Sequence, residues 1–389
     1  MDHEQRSAIV MAGVPATNLA LYHRVRFMVG DPAAYAEIPA PEGSWKGVFI
    51  VRDIEMERAR RHAVADEVYC PADFAPEGGL SGDRETATAQ ALAECLFRAG
   101  VTRATVDRSL PYAFAHHMIE RGIQLVYDPG LGVTARRSKD ETELRHLRDA
   151  QALTERAMRM VCETIARASA DADGVLHHEQ RPLTSARVRS MIDVFCLENG
   201  ASNHHGAIVA CGPVGADCHH RGDGPLRTGQ PVIVDIFPMV NATHYHGDCT
   251  RTVVHGKVPP AVAAMHAAVL EAKDAAEAAV RPGASGEDVH LAAIGVIERH
   301  GYATGLPAPD TDPSFTSMVH GTGHGIGLEV HEPPLLDRKG PALVRGDVLT
   351  IEPGLYCRAI GGVRVEDMVI VTETGCENIN RLPTGLTWA

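Results

Sequence analysis

The run HGTGHGIGLEVHEPP, His320 to Pro334, sets His320, His324 and His331 among glycines at positions 321, 323, 325 and 327. Imidazoles bind metal ions and move protons near neutral pH, and glycines let backbone approach closely whatever those imidazoles serve. Carboxylates recur elsewhere in a matched pattern. GQPVIVD, ending at Asp235, can be laid on GDVLTIE, ending at Glu352. In each, a glycine opens a β-branched run and an acid closes it. Each is followed by a second strand-like run with its own acid, Asp248 in GDCTRTVV and Glu366 in VRVEDMVIV. The two pairs read as antiparallel hairpins in a worn internal duplication. Strand interiors disfavour aspartate, and carboxylates are seldom buried unless paired. Brought together, four of them repel, and some keep their protons unless a cation intervenes. Two divalent cations supply the +4 that balances them. With His324 reaching in from the glycine-rich run, the donor set is oxygen-rich and free of thiolate, which suits Mn, Co, Fe or Zn in a dinuclear site over a structural zinc.

The elements that must position these groups fall in the C-terminal two-thirds of the chain. Ser138-Lys139-Asp140-Glu141 has capping-box form, with Ser138 as the cap and Glu141 three residues on. Behind it Leu144, Leu147, Ala150, Leu153, Ala157, Val161 and Ile165 recur at helical spacing, which predicts a long amphipathic helix. This helix opens a second domain, residues 136–389, after a break near Asp128-Pro129-Gly130. Residues 1–135 alternate strand-like pieces (Gly47 to Val51, Ala104 to Val106) with a helical stretch from Asp83 to Ala99, a small α/β domain. No catalytic constellation stands out there, and the adjacent His116 and His117 read as surface or packing residues. The pairs His177-His178 and His204-His205 read as solvated or structural.

Composition narrows the function classes. At 389 residues the chain has material for two domains, and 44% hydrophobic with 22% charged residues is ordinary globular composition. A net charge of −13 argues against nucleic acid or an anionic membrane as partner. No apolar run approaches the roughly 20 residues that span a bilayer. The opening Met1 to Arg6 is too polar for a secretory signal. Nine cysteines without a CxxC pair fit reduced thiols, so the expected setting is the cytoplasm.

The order Asp, Asp, His, Glu, Glu within VIVDIFP, GDCTRT, GTGHGIG, TIEPGLY and VRVEDMVIV resembles the "pita-bread" metallopeptidases: Xaa-Pro dipeptidase (prolidase), aminopeptidase P and methionine aminopeptidase, with creatinase as a relative. The resemblance covers Ser138 to about Gly375. It implies an α+β fold, a pita-bread catalytic domain of duplicated helix and antiparallel-sheet halves, preceded by a smaller creatinase-like α/β domain. It implies that Asp235 chelates one metal, that Asp248 and Glu366 bridge two, and that His324 and Glu352 complete the second. Two divalent ions per chain are expected, Mn first, with Co or Zn as alternatives. One departure stands out. Asp235 and Asp248 are thirteen residues apart, an even number more than is usual in the family. A longer tip around Val240 to Thr243 absorbs the excess, and even parity keeps both acids on one face.

The resemblance also assigns the remaining histidines. His331 matches the family's imidazole that contacts substrate and the tetrahedral intermediate. His219 falls where another sits near the scissile bond, with His220 leaving the register open. His320 matches the Xaa-Pro-cleaving branch, as substrate contact or as support. Glu352 is the expected proton carrier. Arg364, two residues before Glu366 and therefore on its face, matches the Xaa-Pro enzymes; it reads as a charge partner for the ligand carboxylates, as a guanidinium that binds the carboxylate of a dipeptide bidentately, or as both. The implied reaction is hydrolysis of a peptide with proline at the second position, leaning to a dipeptidase, with aminopeptidase P action on longer peptides as the alternative. A homodimer is the expected assembly. The rival from another class is a binding protein that kept the fold without catalysis, and the complete ligand set argues against it and against creatinase-type chemistry.

Overall fold

The computed structural model describes residues 6–388, apart from the side chain of residue 42, and the polar opening Met1 to Gln5 lies outside it. The chain forms two compact units that divide after Arg136. In the first, a six-stranded sheet runs Glu67–Tyr69, Trp45–Ile50, Ala33–Pro39, Ser7–Gly13, Arg103–Val106, Gln124–Tyr127 from edge to edge. Ser7–Gly13 pairs parallel with Arg103–Val106 and antiparallel with Ala33–Pro39. Asp83 caps the helix Arg84–Arg98 by accepting from Thr86 N–H, and Ala89, Leu92 and Leu96 bury against Val10, Ile50 and Ala104 of the sheet. His116 and His117 lie on the helix Tyr112–Glu120 and pair with Glu120, at 3.4 and 3.6 Å.

The second unit carries the duplication as two hydrophobic cores. The helices Glu141–Ala166 and Ser185–Glu198 close over the three-stranded sheet Ile208–Cys211, Pro231–Ile236, Cys249–Val254. The helices Pro260–Ala279 and Gly286–Arg299 likewise cover the strands Val348–Ile351, Gly354–Cys357 and Asp367–Val371. All the stripe residues anticipated on the first long helix are buried. Its cap differs from the expectation. Asp140, not Ser138, accepts from Thr142 and Glu143 N–H, and Glu143 closes the capping box. Ser138 instead donates to Arg345 O. The rule found the right signal two residues early, because Asp140 and Glu143 repeat the same spacing.

Strand parity separates packing from chemistry. Val232, Val234 and Ile236 enter the first core, whereas Asp235 shares the opposite face with Ile233. Cys249 and Val253 enter that same core, and Thr250 and Thr252 point the other way. In the second half Leu349, Ile351, Val369 and Val371 pack under the helices, with Thr350 on the reverse face. The first carboxylate pair sits on a true antiparallel pairing, Asp235 opposite Thr250. The second pairing, Val348–Ile351 with Asp367–Val371, is also antiparallel. It is not a simple hairpin, because Gly354–Cys357 and Gly361–Arg364 intervene and belong to another sheet. The halves are stitched by threonines: Thr252 Oγ1 donates to Arg364 O and accepts from Arg364 N–H, both at 3.0 Å, and Glu366 N–H donates to Thr250 O.

The longer tip between the two aspartates is ordered and used. Met239–Val240 pairs with Ala201–Ser202, Tyr245 buries its ring and donates to Glu143 Oε1 at 2.5 Å, and His246 N–H donates to Gly327 O. That last bond ties the tip to the glycine-rich run. Glycine is required within the run itself. A Cβ at Gly323 would lie 1.9 Å from Thr350 O, and one at Gly325 would lie 2.5 Å from Pro333 O. Backbone therefore packs against backbone on both sides of His324. No helix is long and apolar enough to cross a membrane among the described residues.

Candidate metal centre

Asp235, Asp248, His324, Glu352 and Glu366 line one cavity of about 260 Å³ in the second unit, together with His219, His320, His331 and Arg364. Donor atoms of Asp248, His324 and Glu366, all buried, lie within 4.8 Å of one another. His324 Nε2 is 3.4 Å from Glu352 Oε1 and 3.9 Å from Asp248 Oδ2. Its Nδ1 lies 3.1 Å from Gly325 O, which places the proton there and leaves the Nε2 lone pair facing the carboxylates. Burial pushes the His324 imidazole down to about 4, so it is a neutral donor of electrons at physiological pH.

The carboxylates are held, but not satisfied. Gln151 on the first long helix accepts from Asp248 N–H and donates to Asp248 O, both at 2.8 Å, which fixes that aspartate's backbone. Thr250 Oγ1 donates to Glu366 Oε2 at 2.8 Å. Asp235 Oδ2 accepts from Arg364 Nη2 at 2.7 Å. Yet Asp235 Oδ1 and Asp248 Oδ1 are buried with no hydrogen-bond partner. Burial, then the neighbouring Glu366, Asp235 and Glu352, hold Asp248 well above the usual carboxylate range. Burial followed by Glu352 and Asp235 does the same to Glu366. Two unit charges 4 Å apart repel by about 4 kcal/mol at an effective dielectric constant near 20, and Arg364 supplies a single compensating charge. Four carboxylates against one guanidinium leave −3. Orphaned oxygens, lone pairs aimed inward and that surplus fit divalent cations held by these residues.

Of the other residues named from sequence, His331 and His219 are exposed at the cavity wall. The His331 ring meets His324 edge-on at 4.2 Å between centroids. Burial and then the His324 ring lower the His331 pKa, so it stands neutral with a proton to donate. The register question around His219 has a geometric answer, since His220 Nδ1 accepts from Gly222 N–H in its own loop and only His219 lines the cavity. Arg364 and His320 line the cavity with their polar atoms already engaged. Arg364 is not a free fork: it is 3% exposed, and its nitrogens already donate to Asp235, Thr250, Tyr356 OH and Cys218 O. Burial works to lower its pKa, but the facing Tyr356, Asp235 and Glu352 more than offset that and keep it charged. His320 likewise has both nitrogens engaged, Nδ1 donating to Gly321 O at 2.7 Å and Nε2 accepting from Tyr356 OH at 2.7 Å. Arg364, Tyr356 and His320 thus form a directed chain that supports Asp235, in keeping with the charge-partner reading of Arg364 and the supporting reading of His320. Sequence reasoning missed Gln151, Tyr356 and Thr250. Gln151 left a signal, a polar residue beside Ala150 on the buried stripe.

Residues 145–373 match the metallopeptidase family M24. The chain belongs to metallopeptidase family M24. It is 36% identical over 247 residues to "Probable dipeptidase PepE" of Mycobacterium tuberculosis, covering 63% of this chain and 59% of that protein. It is 30% identical over 353 residues to "Xaa-Pro aminopeptidase 1" of Streptomyces coelicolor, covering 84% of this chain and 66% of that one. The chain thus spans about three-fifths of the length of the first of these M24 relatives. The prolidase from Pyrococcus horikoshii superposes with a TM-score of 0.76 at 23% identity, over 99% of this chain and 97% of that one. The fold is the pita-bread architecture anticipated from the motifs.

Because Asp248 and Glu366 are held above the ordinary range, the metal-free protein binds protons at these sites where a free carboxyl would have lost them. Metal ions bind the carboxylate form, so loading must expel protons. Titrating Mn²⁺ into chelator-stripped protein at pH 7 is expected to release protons in weak buffer, and affinity is expected to fall as pH is lowered. Loading without proton release would contradict the protonation described here.

Proposed function

We propose that this M24 chain is a dinuclear-metal exopeptidase that hydrolyses the Xaa-Pro bond, leaning to an Xaa-Pro dipeptidase. One observation carries the reading: four carboxylates and a neutral imidazole converge, with two buried oxygens unpartnered, on a small cavity whose wall presents exposed imidazoles. At about 260 Å³ the cavity is at the small end for organic ligands, which suits a dipeptide. The names of the relatives, dipeptidase and Xaa-Pro aminopeptidase, support the substrate class.

Two divalent ions would be held by Asp235, Asp248, His324, Glu352 and Glu366 and, when bound, would supply Lewis-acid charge and lower the pKa of a water. Manganese is the ion we assign, from the oxygen-rich donor set. The chain's own groups do the rest. His331 donates to the carbonyl oxygen as negative charge develops there. His219, across the cavity, orients the peptide. Proline's nitrogen has no hydrogen in the peptide bond and must gain a proton to leave. Glu352 is placed to deliver it, because its side chain is 18% exposed while the other site carboxylates are more deeply buried. Arg364, through Asp235, keeps the donor set in register. The free cysteines accord with action in a reducing cytoplasm.

Arg364 favours a second reading. With that guanidinium engaged, a dipeptide's carboxylate meets imidazoles and no free guanidinium on this cavity wall, which weakens the case for dipeptides over longer chains. Comparing Xaa-Pro with Xaa-Pro-Yaa peptides under added Mn²⁺ decides it. Faster turnover of the dipeptide is expected; faster turnover of the tripeptide makes the enzyme an Xaa-Pro aminopeptidase, and preference for N-terminal methionine without proline rejects both. His331→Ala should lower kcat on the order of 10²-fold while metal content holds. Loss of metal in that variant would place His331 among the ligands.

A further inference from the structure

The residues just before the first long helix reach 193 positions along the chain into the site. Lys139 Nζ donates to Glu332 Oε1 at 2.7 Å, with the two side chains 1% and 3% exposed. Two residues earlier Arg137 grips Asp347 through Nε and Nη2 at 3.0 and 2.6 Å and donates to Ala342 O. Lys139 N–H donates to Gly346 O, and a Cβ at Gly346 would lie 2.9 Å from Lys139 N, so the contact is backbone to backbone. One short basic segment thus holds two places at once. One is the start of the strand Val348–Ile351, which leads into Glu352. The other is Glu332, whose neighbour is His331.

We infer that Lys139 and Glu332 form a positioning brace that sets the His331 imidazole against the metal centre, an inference that rests on the functional reading above. The geometry of the loop carries it. Gly325 pairs with Glu332, with a bulge between His324 and Gly325, so residues 326–331 form a tight excursion whose base is that pair. Glu332, first residue of the strand Glu332–Leu336, turns inward to Lys139, and His331, in the bend just before it, turns out to the cavity and the His324 ring. The Glu332 carboxylate also underlies the loop, because a Cβ at Gly327 would lie 2.6 Å from its Oε1. The His331 ring itself stands exposed, in edge-on contact with His324. Replacing a buried ion pair by apolar groups of similar volume commonly preserves stability, so the ionic pair is more than the packing here requires. Its directionality is what an apolar pair lacks.

That difference gives the test. Lys139→Met leaves Glu332 buried without its cation and is expected to destabilise the fold. The double variant Lys139→Met/Glu332→Met restores an uncharged contact and is expected to regain wild-type melting temperature. Its kcat should stay about 10-fold low, since small misplacements of a reacting group cost rates of this order, with KM and metal content unchanged. Affinity for a phosphinic Xaa-Pro analogue, whose tetrahedral phosphorus mimics the addition intermediate, should weaken by the same factor. Lys139→Arg keeps the charge but moves its donors, and should fall between. Wild-type kcat and analogue affinity in both the double and the arginine variant overturn the brace. If the wild type cleaves no Xaa-Pro bond, the functional reading fails by itself. The brace is then judged from the crystal structure of the double variant, where His331 is expected to have left its edge-on contact with His324 and an unmoved ring overturns it.

Discussion

Mutual repulsion of four carboxylates in a water-poor cavity is the constraint on which the rest of this M24 structure depends. An isolated carboxylate taken out of water costs several kcal/mol even after the protein relaxes, and each neighbour at 4 Å adds about as much again. Arg364 offsets a part of that, most directly at Asp235, which it meets at 2.7 Å. Asp248 and Glu366 rise in pKa and hold protons until a cation displaces them. The fold therefore carries the site at a cost in stability, and metal loading returns it. The metal is in this sense a structural partner as well as the source of the chemistry.

Such a site needs rigid surroundings, and the two cores provide them. Each half spends one strand face on aliphatic packing beneath helices and reserves the other for acids and threonines. Buried polar groups brace the arrangement from behind. Gln151 pins the backbone of Asp248, and Arg251, fully buried, donates to Glu366 O and Asp367, which Lys273 also reaches at 2.7 Å. These bonds join the strand of Asp248 to that of Glu366, so neither acid can retreat from the other by relaxation. On the opposite side the Lys139–Glu332 pair and the glycines around His324 hold the imidazole side of the cavity.

Much of this was legible in the residues. The glycines around His324 marked the close backbone approach that brings its imidazole to the acids. The alternation that separates acids from aliphatics follows from period-two spacing, which a strand cannot evade without turning its apolar side to water. The longer loop after Asp235 kept both aspartates on one face for the same reason. What failed was reach. Whether Arg364 faces a substrate or a neighbour depends on Tyr356, Thr250 and Cys218 O, which come from three other segments, and no local pattern encodes their meeting. The intervening hairpin that places Tyr356 belongs to another sheet, so the second carboxylate pair looked simpler in sequence than it is. The helix cap shifted by two residues because Ser138 and Asp140 offer equivalent signals, and only the bond from Ser138 to Arg345 O decides between them.

The central claim is that these five side chains hold two cations. Anomalous diffraction at the manganese edge, on crystals grown with Mn²⁺, tests it most directly. Two anomalous peaks are expected, both within the cavity lined by Asp235, Asp248, His324, Glu352 and Glu366. A single peak, or peaks away from these side chains, would contradict the account.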